Sequence, residues 1–368
     1  MKVLNILNIL NIIEICFGFT GLNGYVKPKI KTKQIATIGP VCSDYKSLSN
    51  LHTNGVNIFR INLSHESQIS LVEKVDILNY IRSISTYELE ILLDLQGPKH
   101  RIGQVKENTI IKQGNNLLLD KCSIEGDDNR VYLGHENIYK NINVGDKILI
   151  DDGLVELNVT ENGKEFILTE IIKGGKLKSN KGVNLPNCKL NNICLTNKDL
   201  NDIRLLNTLN IDYVALSFVE SKNDIINLKN VLNENIKVIG KIERLLAVEN
   251  IDEICDECDG IMIARGDLGV EIGIEKVPLI QKKCIKIGRE KNKEVIVATQ
   301  MMESMITNPI PTRAEVSDIA NAILDGATGV MLSGETSIGK YGLECIKIQR
   351  KVIEEIENSD NYFNLEKE

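Results

Sequence analysis

Apolar positions in this chain gather into short, nearly continuous runs separated by helix-length stretches of mixed polarity. From residue 33 onward eight runs stand out: QIATIG (34–39), VNIFRIN (56–62), LEILLDL (89–95), YVALSF (213–218), IKVIGKI (236–242), GIMIAR (260–265), EVIVAT (294–299) and GVMLSG (329–334). Strands that do not alternate between apolar and polar are buried on both faces, as parallel strands covered by helices are. The intervening segments carry helix signals. Thr196 with Asp199 and Ser221 with Asp224 have capping-box spacing, and TRAEVSDIANAILDG (312–326) is amphipathic and ends on Gly326. Eight such units predict a closed (β/α)8 barrel, with an open doubly wound sheet as the alternative.

The regularity fails once. Between residues 103 and 185 the pattern becomes short-stranded, as in VGDKILIDDGLVELNV and GKEFILTEIIKGG, with Gly and Asp-Gly turns. The expectation is a small β-barrel domain inserted after the third strand, with the main barrel spanning 32–102 and 186–358. Residues 359–368 form a polar tail. Residues 1–31 read as a leader or linker. Their apolar stretch is interrupted by Asn5, Asn8, Asn11 and Glu14, too short and too broken for a membrane span but compatible with a targeting segment.

Composition narrows the classes of function. A length of 368 residues suits one large barrel with an appended domain, and a formal charge of −7 argues against general nucleic-acid binding. Nine scattered cysteines include one tight pair, Cys255-x-x-Cys258, with no second pair or His cluster to complete a metal set. They read as thiols of a reduced compartment. GETSIGK (334–340) nearly spells a phosphate-binding loop, but Tyr341 occupies the position that needs a hydroxyl-bearing Ser or Thr.

Barrels of this kind carry their chemistry at the C-terminal ends of the strands. There the sequence sets Arg60, Asn62, Ser64 and His65 after the second run, Asp94, Lys99 and Arg101 after the third, and Lys241 with Glu243 at the fifth. Arg265 and Asp267 follow the sixth, Thr299 ends the seventh, and Ser333 and Glu335 end the eighth. Singly, each has a structural explanation: a helix-layer salt bridge for Arg60, an ion pair on one strand face for Lys241 and Glu243, a turn for Asp267. As a set they describe a site. Carboxylates such as Glu243 and Asp267 suit a hard divalent ion, Mg²⁺ foremost, completed by substrate oxygens and water. Arginine and lysine facing that ion suit phosphoryl groups. The residues point to phosphate chemistry without naming a substrate.

In this order the residues resemble the pyruvate kinase family. KTKQIATIGP, NIFRINLSHE, IDDGLVEL, KGVNLP, GIMIARGDLGVEI, VATQMMESM, PTRAEVSDIANAILDGATGVMLSGET and YGLECIKI carry the likeness, and the inserted segment corresponds to the family's mobile B domain. The resemblance implies transfer of the phosphoryl group of phosphoenolpyruvate to ADP, giving pyruvate and ATP at the end of glycolysis. It implies that Arg60 bridges the transferring phosphoryl group and that Lys241 stabilises the phosphoryl group and the developing enolate. Thr299 is then placed beside the carbon that is protonated. Gly266 and Asp267 offer backbone N–H groups to the substrate carboxylate. Glu243 and Asp267 become the Mg²⁺ ligands. Asn62, Ser64 and Asp94, with the carbonyl of Leu95, become ligands of a monovalent cation. His65, Arg101 and Lys181, with the Asp151-Asp152 pair, line the nucleotide side. A homo-oligomer through the barrel is implied, and neither nucleic acid nor membrane is a partner.

The chain departs from the family in three places. Where the family usually has Asp-Thr-Lys-Gly-Pro-Glu-Ile-Arg, this chain reads Asp94-Leu95-Gln96-Gly97-Pro98-Lys99-His100-Arg101. The family's glutamate accompanies dependence on K⁺, and members with lysine there do without the ion, so Lys99 is expected to substitute for the cation. The family's C-terminal domain does not follow the barrel, which implies a dimer without that domain's effector site; a fragment or an incomplete gene model gives the same sequence. Glu66 follows His65 where the family usually has glycine, setting a like charge near the nucleotide phosphates. The competing readings are a homologue that binds Mg²⁺ or ligand without turnover, and a phosphoenolpyruvate-using enzyme with another acceptor. KGVNLP and the insert speak against the latter. The leader and the Asn/Ile-rich composition resemble plastid-targeted proteins of apicomplexan parasites, so a plastid location is expected, with the cytoplasm as the alternative.

Overall fold

The eight apolar runs pair in a single closed parallel barrel. β1 (Lys33–Thr37), β2 (Val56–Asn62) and β3 (Glu90–Asp94) come first. The insert then supplies β4 (Ile110–Ile111), β5 (Asn116–Asp120), β6 (Arg130–Tyr132), β7 (Lys147–Ile150), β8 (Val155–Asn162), β9 (Phe166–Lys173), β10 (Gly175–Lys176) and β11 (Val183–Asn184). The barrel resumes with β12 (Tyr213–Leu216), β13 (Lys237–Ile242), β14 (Gly260–Ala264), β15 (Glu294–Ala298) and β16 (Gly329–Leu332). The circuit β1-β16-β15-β14-β13-β12-β3-β2 closes, which excludes the doubly wound alternative. This computed structural model describes residues 30–186, 188, 194–360 and 362; the expected leader, apart from its last two residues, and most of the polar tail lie outside the described residues.

Inside the barrel, Ile35, Ile58, Leu92, Ile239, Met262 and Met331 stack into a filled core. The strand residues between them, such as Phe59, Leu93 and Ile261, are just as buried against the helices. This double burial is why the runs do not alternate. At the N-terminal end of the barrel, Lys33 Nζ donates to Glu90 Oε2 at 2.7 Å and Glu294 Oε1 at 2.9 Å. The Tyr213 hydroxyl lies 3.0 Å from both carboxylates. The helices begin where the side chains satisfy their free N–H groups. Thr196 with Asp199, Ser221 with Asp224 and Thr312 with Glu315 all form capping boxes, and the helix Arg313–Asp325 stops at left-handed Gly326, φ 110°.

The insert is a six-stranded sheet in the order β11-β7-β8-β9-β5-β6, with β4 and β10 paired beside it. It has its own core, including Leu117, Leu119, Val131, Ile148, Leu157 and Ile167. Its two ends meet: Arg101 and Gly182 pair antiparallel, Ile102 N–H donates to Lys181 O at 3.0 Å, and Val183 N–H donates to His100 O at 2.9 Å. No described helix is long and apolar enough to cross a membrane.

Candidate active site

Barrel register brings the first groups together. Asn62 and Asp94 are register partners on β2 and β3, and β12 sets Ala215 beside Asp94. Asp94, 1% exposed, is the hub. Its Oδ2 accepts from Arg60 Nε at 2.8 Å and Nη2 at 2.6 Å, and its Oδ1 lies 3.2 Å from Lys241 Nζ. Arg60 Nη1 also donates to Thr37 Oγ1 at 3.1 Å. Lys241 Nζ continues to Glu243 Oε1 at 2.9 Å and donates to Ser217 Oγ at 2.8 Å. Ser217 in turn donates to Leu95 O at 2.7 Å, and Glu243 Oε2 accepts the N–H of Phe218 at 2.7 Å.

The charges set the titration of this chain. Burial raises the Asp94 carboxyl, but the charges of Lys241 and Arg60 outweigh it and hold the group below its ordinary value. For Lys241, burial works against the ammonium and loses to Asp94 and Glu243, so the cation is kept. Glu243 is pushed up, first by burial and then by the like charge of Asp267, with Lys241 opposing. A carboxylate pushed up by burial and by a second carboxylate near it is a fit for a divalent cation, which would relieve the repulsion. No described cluster gathers three or more His, Cys, Asp or Glu about one point. A site of two carboxylates therefore depends on substrate oxygens and water, as Mg²⁺ commonly does.

A second charge pair lies beside the first. Lys99 Nζ donates to Asp267 Oδ1 at 3.0 Å. Lys99 thus meets the expected divalent site, and no hydrogen bond joins it to Asn62, Ser64, Asp94 or Leu95. A Cβ placed on Gly182 would stand 2.9 Å from Lys99 Cε, so the lysine stem packs on the insert as its head reaches the barrel. Of the expected monovalent-cation ligands, Asn62 Oδ1 accepts the Ser64 N–H at 3.1 Å, and Asp94 and Leu95 are engaged as described.

At the end of β15, Thr299 and Gln300 are left-handed, with φ of 71° and 55°. A β-branched residue there carries a strain of about 1–3 kcal/mol. Thr299 Oγ1 accepts the Gly266 N–H at 2.8 Å. That contact joins β15 to the first turn of the helix Arg265–Ile272, which also presents Asp267. On the insert side, Lys181 pairs with Asp151 at 2.7 Å and Arg101 Nη1 donates to Asn180 O at 3.0 Å. Asp152 is exposed, and His65 is exposed on the barrel. Glu66 turns onto Lys74 in an ion pair and accepts from Ser70 Oγ at 2.8 Å, so its charge is met within the chain.

The model of the pyruvate kinase barrel domain matches residues 29–346. A pyruvate kinase of Methylorubrum extorquens is 39% identical over 341 residues, covering 92% of this chain and 71% of the relative. Pyruvate kinases of Staphylococcus epidermidis and Staphylococcus aureus are also 39% identical over 341 residues, covering 91% of this chain. This chain belongs to the pyruvate kinase family. It spans 58% of the length of the staphylococcal relatives.

Within this pyruvate kinase barrel, two predicted top-edge residues turn out to be internal braces. Glu335 is fully buried and accepts the N–H groups of Met302 at 2.9 Å and Ser333 at 2.7 Å. Arg265 is committed to Asp318 and to the Thr299 turn. Sequence reading missed Ser217 and Thr37, although each is the first polar residue at the end of an apolar run, the signal that found Thr299. Asp318 sits in mid-helix with no local signal.

Proposed function

We propose that this chain transfers the phosphoryl group of phosphoenolpyruvate to ADP, forming pyruvate and ATP. The observation that carries the reading is the Arg60–Asp94–Lys241–Glu243 chain set beside Asp267, Gly266 and Thr299. The anionic substrate takes over Arg60 and Lys241, which then serve the phosphoryl oxygens and the developing enolate from fixed positions. Asp94 keeps both cations aimed before substrate arrives. Glu243 and Asp267 would hold Mg²⁺, which when bound would supply neutralising charge at the phosphoryl oxygens. The Asp267 N–H is assigned to the substrate carboxylate together with the Gly266 N–H, which in the free chain donates to Thr299 Oγ1 at 2.8 Å and would turn to the carboxylate when substrate binds. Thr299 stands at the carbon that gains a proton. Arg101, Lys181 and His65 are assigned to the nucleotide phosphates. A coupled assay of pyruvate formation from phosphoenolpyruvate, ADP and Mg²⁺ tests the reading. Turnover that disappears in Arg60→Met is expected, and no pyruvate from the folded wild-type chain overturns it.

We also propose that K⁺ is dispensable, on the strength of the lysine at position 99, where the family's K⁺-dependent members have glutamate; its ammonium is engaged with Asp267 rather than with the expected cation ligands. Replacing K⁺ by tetramethylammonium at constant ionic strength should change the rate by less than about twofold; a loss of about tenfold or more sinks this assignment. The barrel is assigned to a homo-oligomer, supported by the exposure of Ile274 (80%), Leu279 (75%) and Ile310 (63%). A monomer in sedimentation velocity would contradict it. The leader is assigned to plastid import, and a reporter fused to residues 1–31 that stays in the cytoplasm would remove that assignment.

A further inference from the structure

Arg265 opens its helix next to Gly266, but its guanidinium reaches back to the strained turn. Nη2 donates to Thr299 O at 2.7 Å and lies 3.3 Å from Gln300 O. Nη1 donates to Asp318 Oδ1 at 2.8 Å, lies 2.7 Å from Oδ2, and stands 3.3 Å from Gln281 Oε1. The Arg265 side chain is 12% exposed. One guanidinium nitrogen thus meets the carbonyls of two successive left-handed residues. The next residue grips the other side of the turn, because the Gly266 N–H holds Thr299 Oγ1 at 2.8 Å. A strained turn persists only where its surroundings over-determine it, and here the Arg265–Gly266 dipeptide supplies both grips.

We propose that Arg265, braced by Asp318 on the helix Arg313–Asp325, is a positioning residue that holds Thr299 in its left-handed conformation and so aims the Thr299 hydroxyl into the site. The proposal rests on the reading of Thr299 as a group at the reacting carbon, and it adds two residues that act only through Thr299. Lysine cannot replace the arginine, since a single ammonium cannot hold the two carbonyls on one side and the carboxylate on the other.

The test is a cycle of variants in the full chain. Arg265→Lys should lower kcat by at least about tenfold with the KM for phosphoenolpyruvate changed less than about twofold, and Asp318→Asn should do the same more weakly. In a Thr299→Ala background, Arg265→Lys should cost less than about twofold more, because the group it positions is already gone. Losses that multiply across the cycle overturn the proposal. A crystal structure of Arg265→Met gives a readout that needs no turnover: Thr299 should relax to negative φ and release the Gly266 N–H. A Thr299 that stays left-handed overturns the proposal whatever reaction the site performs. A wild-type chain without pyruvate formation overturns the reaction assigned above and leaves this backbone readout to decide.

Discussion

Lys241 meets two carboxylates at once, and this makes it a structural residue as well as a chemical one. Asp94 and Glu243 are each 1% exposed, and the lysine lies between them. Lys241→Met should reduce kcat/KM by about a thousandfold, since the preorganised charge assigned to the phosphoryl group is lost. It should also lower stability by about 3–5 kcal/mol, since one carboxylate is left buried without compensation. Adding Glu243→Gln to that variant should recover part of the stability, read by urea denaturation, and none of the rate. A recovery of both would mean that Lys241 acts only by neutralising Glu243. His100 supplies a different single-residue effect. Burial, followed by the charges of His135 and Arg244, lowers its pKa from 6.5 to about 3. Between those values the unfolded chain binds a proton that the folded chain refuses. Stability therefore falls as pH drops below 6.5 and levels off near 3, with a slope of at most about 1.4 kcal/mol per pH unit from this group. His100→Gln should flatten that part of the profile in pH-dependent urea denaturation, and an unchanged slope would assign the acid sensitivity elsewhere.

Elements here are fixed by local rules, and the site by pairings that no local rule contains. The strands were legible because both faces of each are buried, so their apolar runs are continuous. The helix Arg313–Asp325 was legible in its amphipathic pattern and in Gly326, and its capping box can be tested alone. Thr312→Ala removes the acceptor for the Glu315 N–H and should cost about 1 kcal/mol by thermal or urea unfolding, with activity retained. No measurable change would show that the helix start is held by Glu315 and Ser304 alone. Legibility ends at the partners of the strand-end charges. Lys99 and Asp267 are 168 positions apart, Arg265 and Asp318 are 53 apart, and only closure of the barrel makes them neighbours. Sequence spacing could place Glu335 at the eighth strand's end but not aim it, and its carboxylate serves two backbone N–H groups inside the protein. Lys99 was singled out for its charge, while its second contact, the stem against Gly182, depends on a glycine more than eighty positions downstream. The same closure builds the network at the barrel's other end. There Lys33→Met would leave Glu90 and Glu294 sharing the Tyr213 hydroxyl and should destabilise the chain by about 1–3 kcal/mol in urea denaturation.

At the scale of the molecule, barrel and insert divide the work, and the division can be cut. Arg60, Asp94, Lys241, Glu243, Gly266, Asp267 and Thr299 all belong to the barrel. Asp151 and Lys181 belong to the insert, and Lys99 is packed between the two. The insert has its own apolar core, and its ends meet in the Arg101–Gly182 pair and the bond from Ile102 N–H to Lys181 O at 3.0 Å. Antiparallel ends that already pair can be joined by a two-residue turn. Replacing residues 103–180 with Asn-Gly should therefore leave a barrel that unfolds cooperatively and keeps its far-ultraviolet helical signal. The excised chain should still bind phosphoenolpyruvate with Mg²⁺, because the groups assigned to both are intact. Transfer to ADP should fall by at least about a hundredfold, because Asp151 is gone and so is the insert whose closure, as the family resemblance implies, would keep water from the site. Phosphate released by hydrolysis should rise relative to ATP formed. Binding by calorimetry and the ratio of the two products separate the outcomes. An excised chain that transfers at nearly the full rate would move the nucleotide site wholly onto the barrel. One that no longer binds phosphoenolpyruvate would mean that the Lys99 stem, resting on the insert, is what holds Asp267 in place.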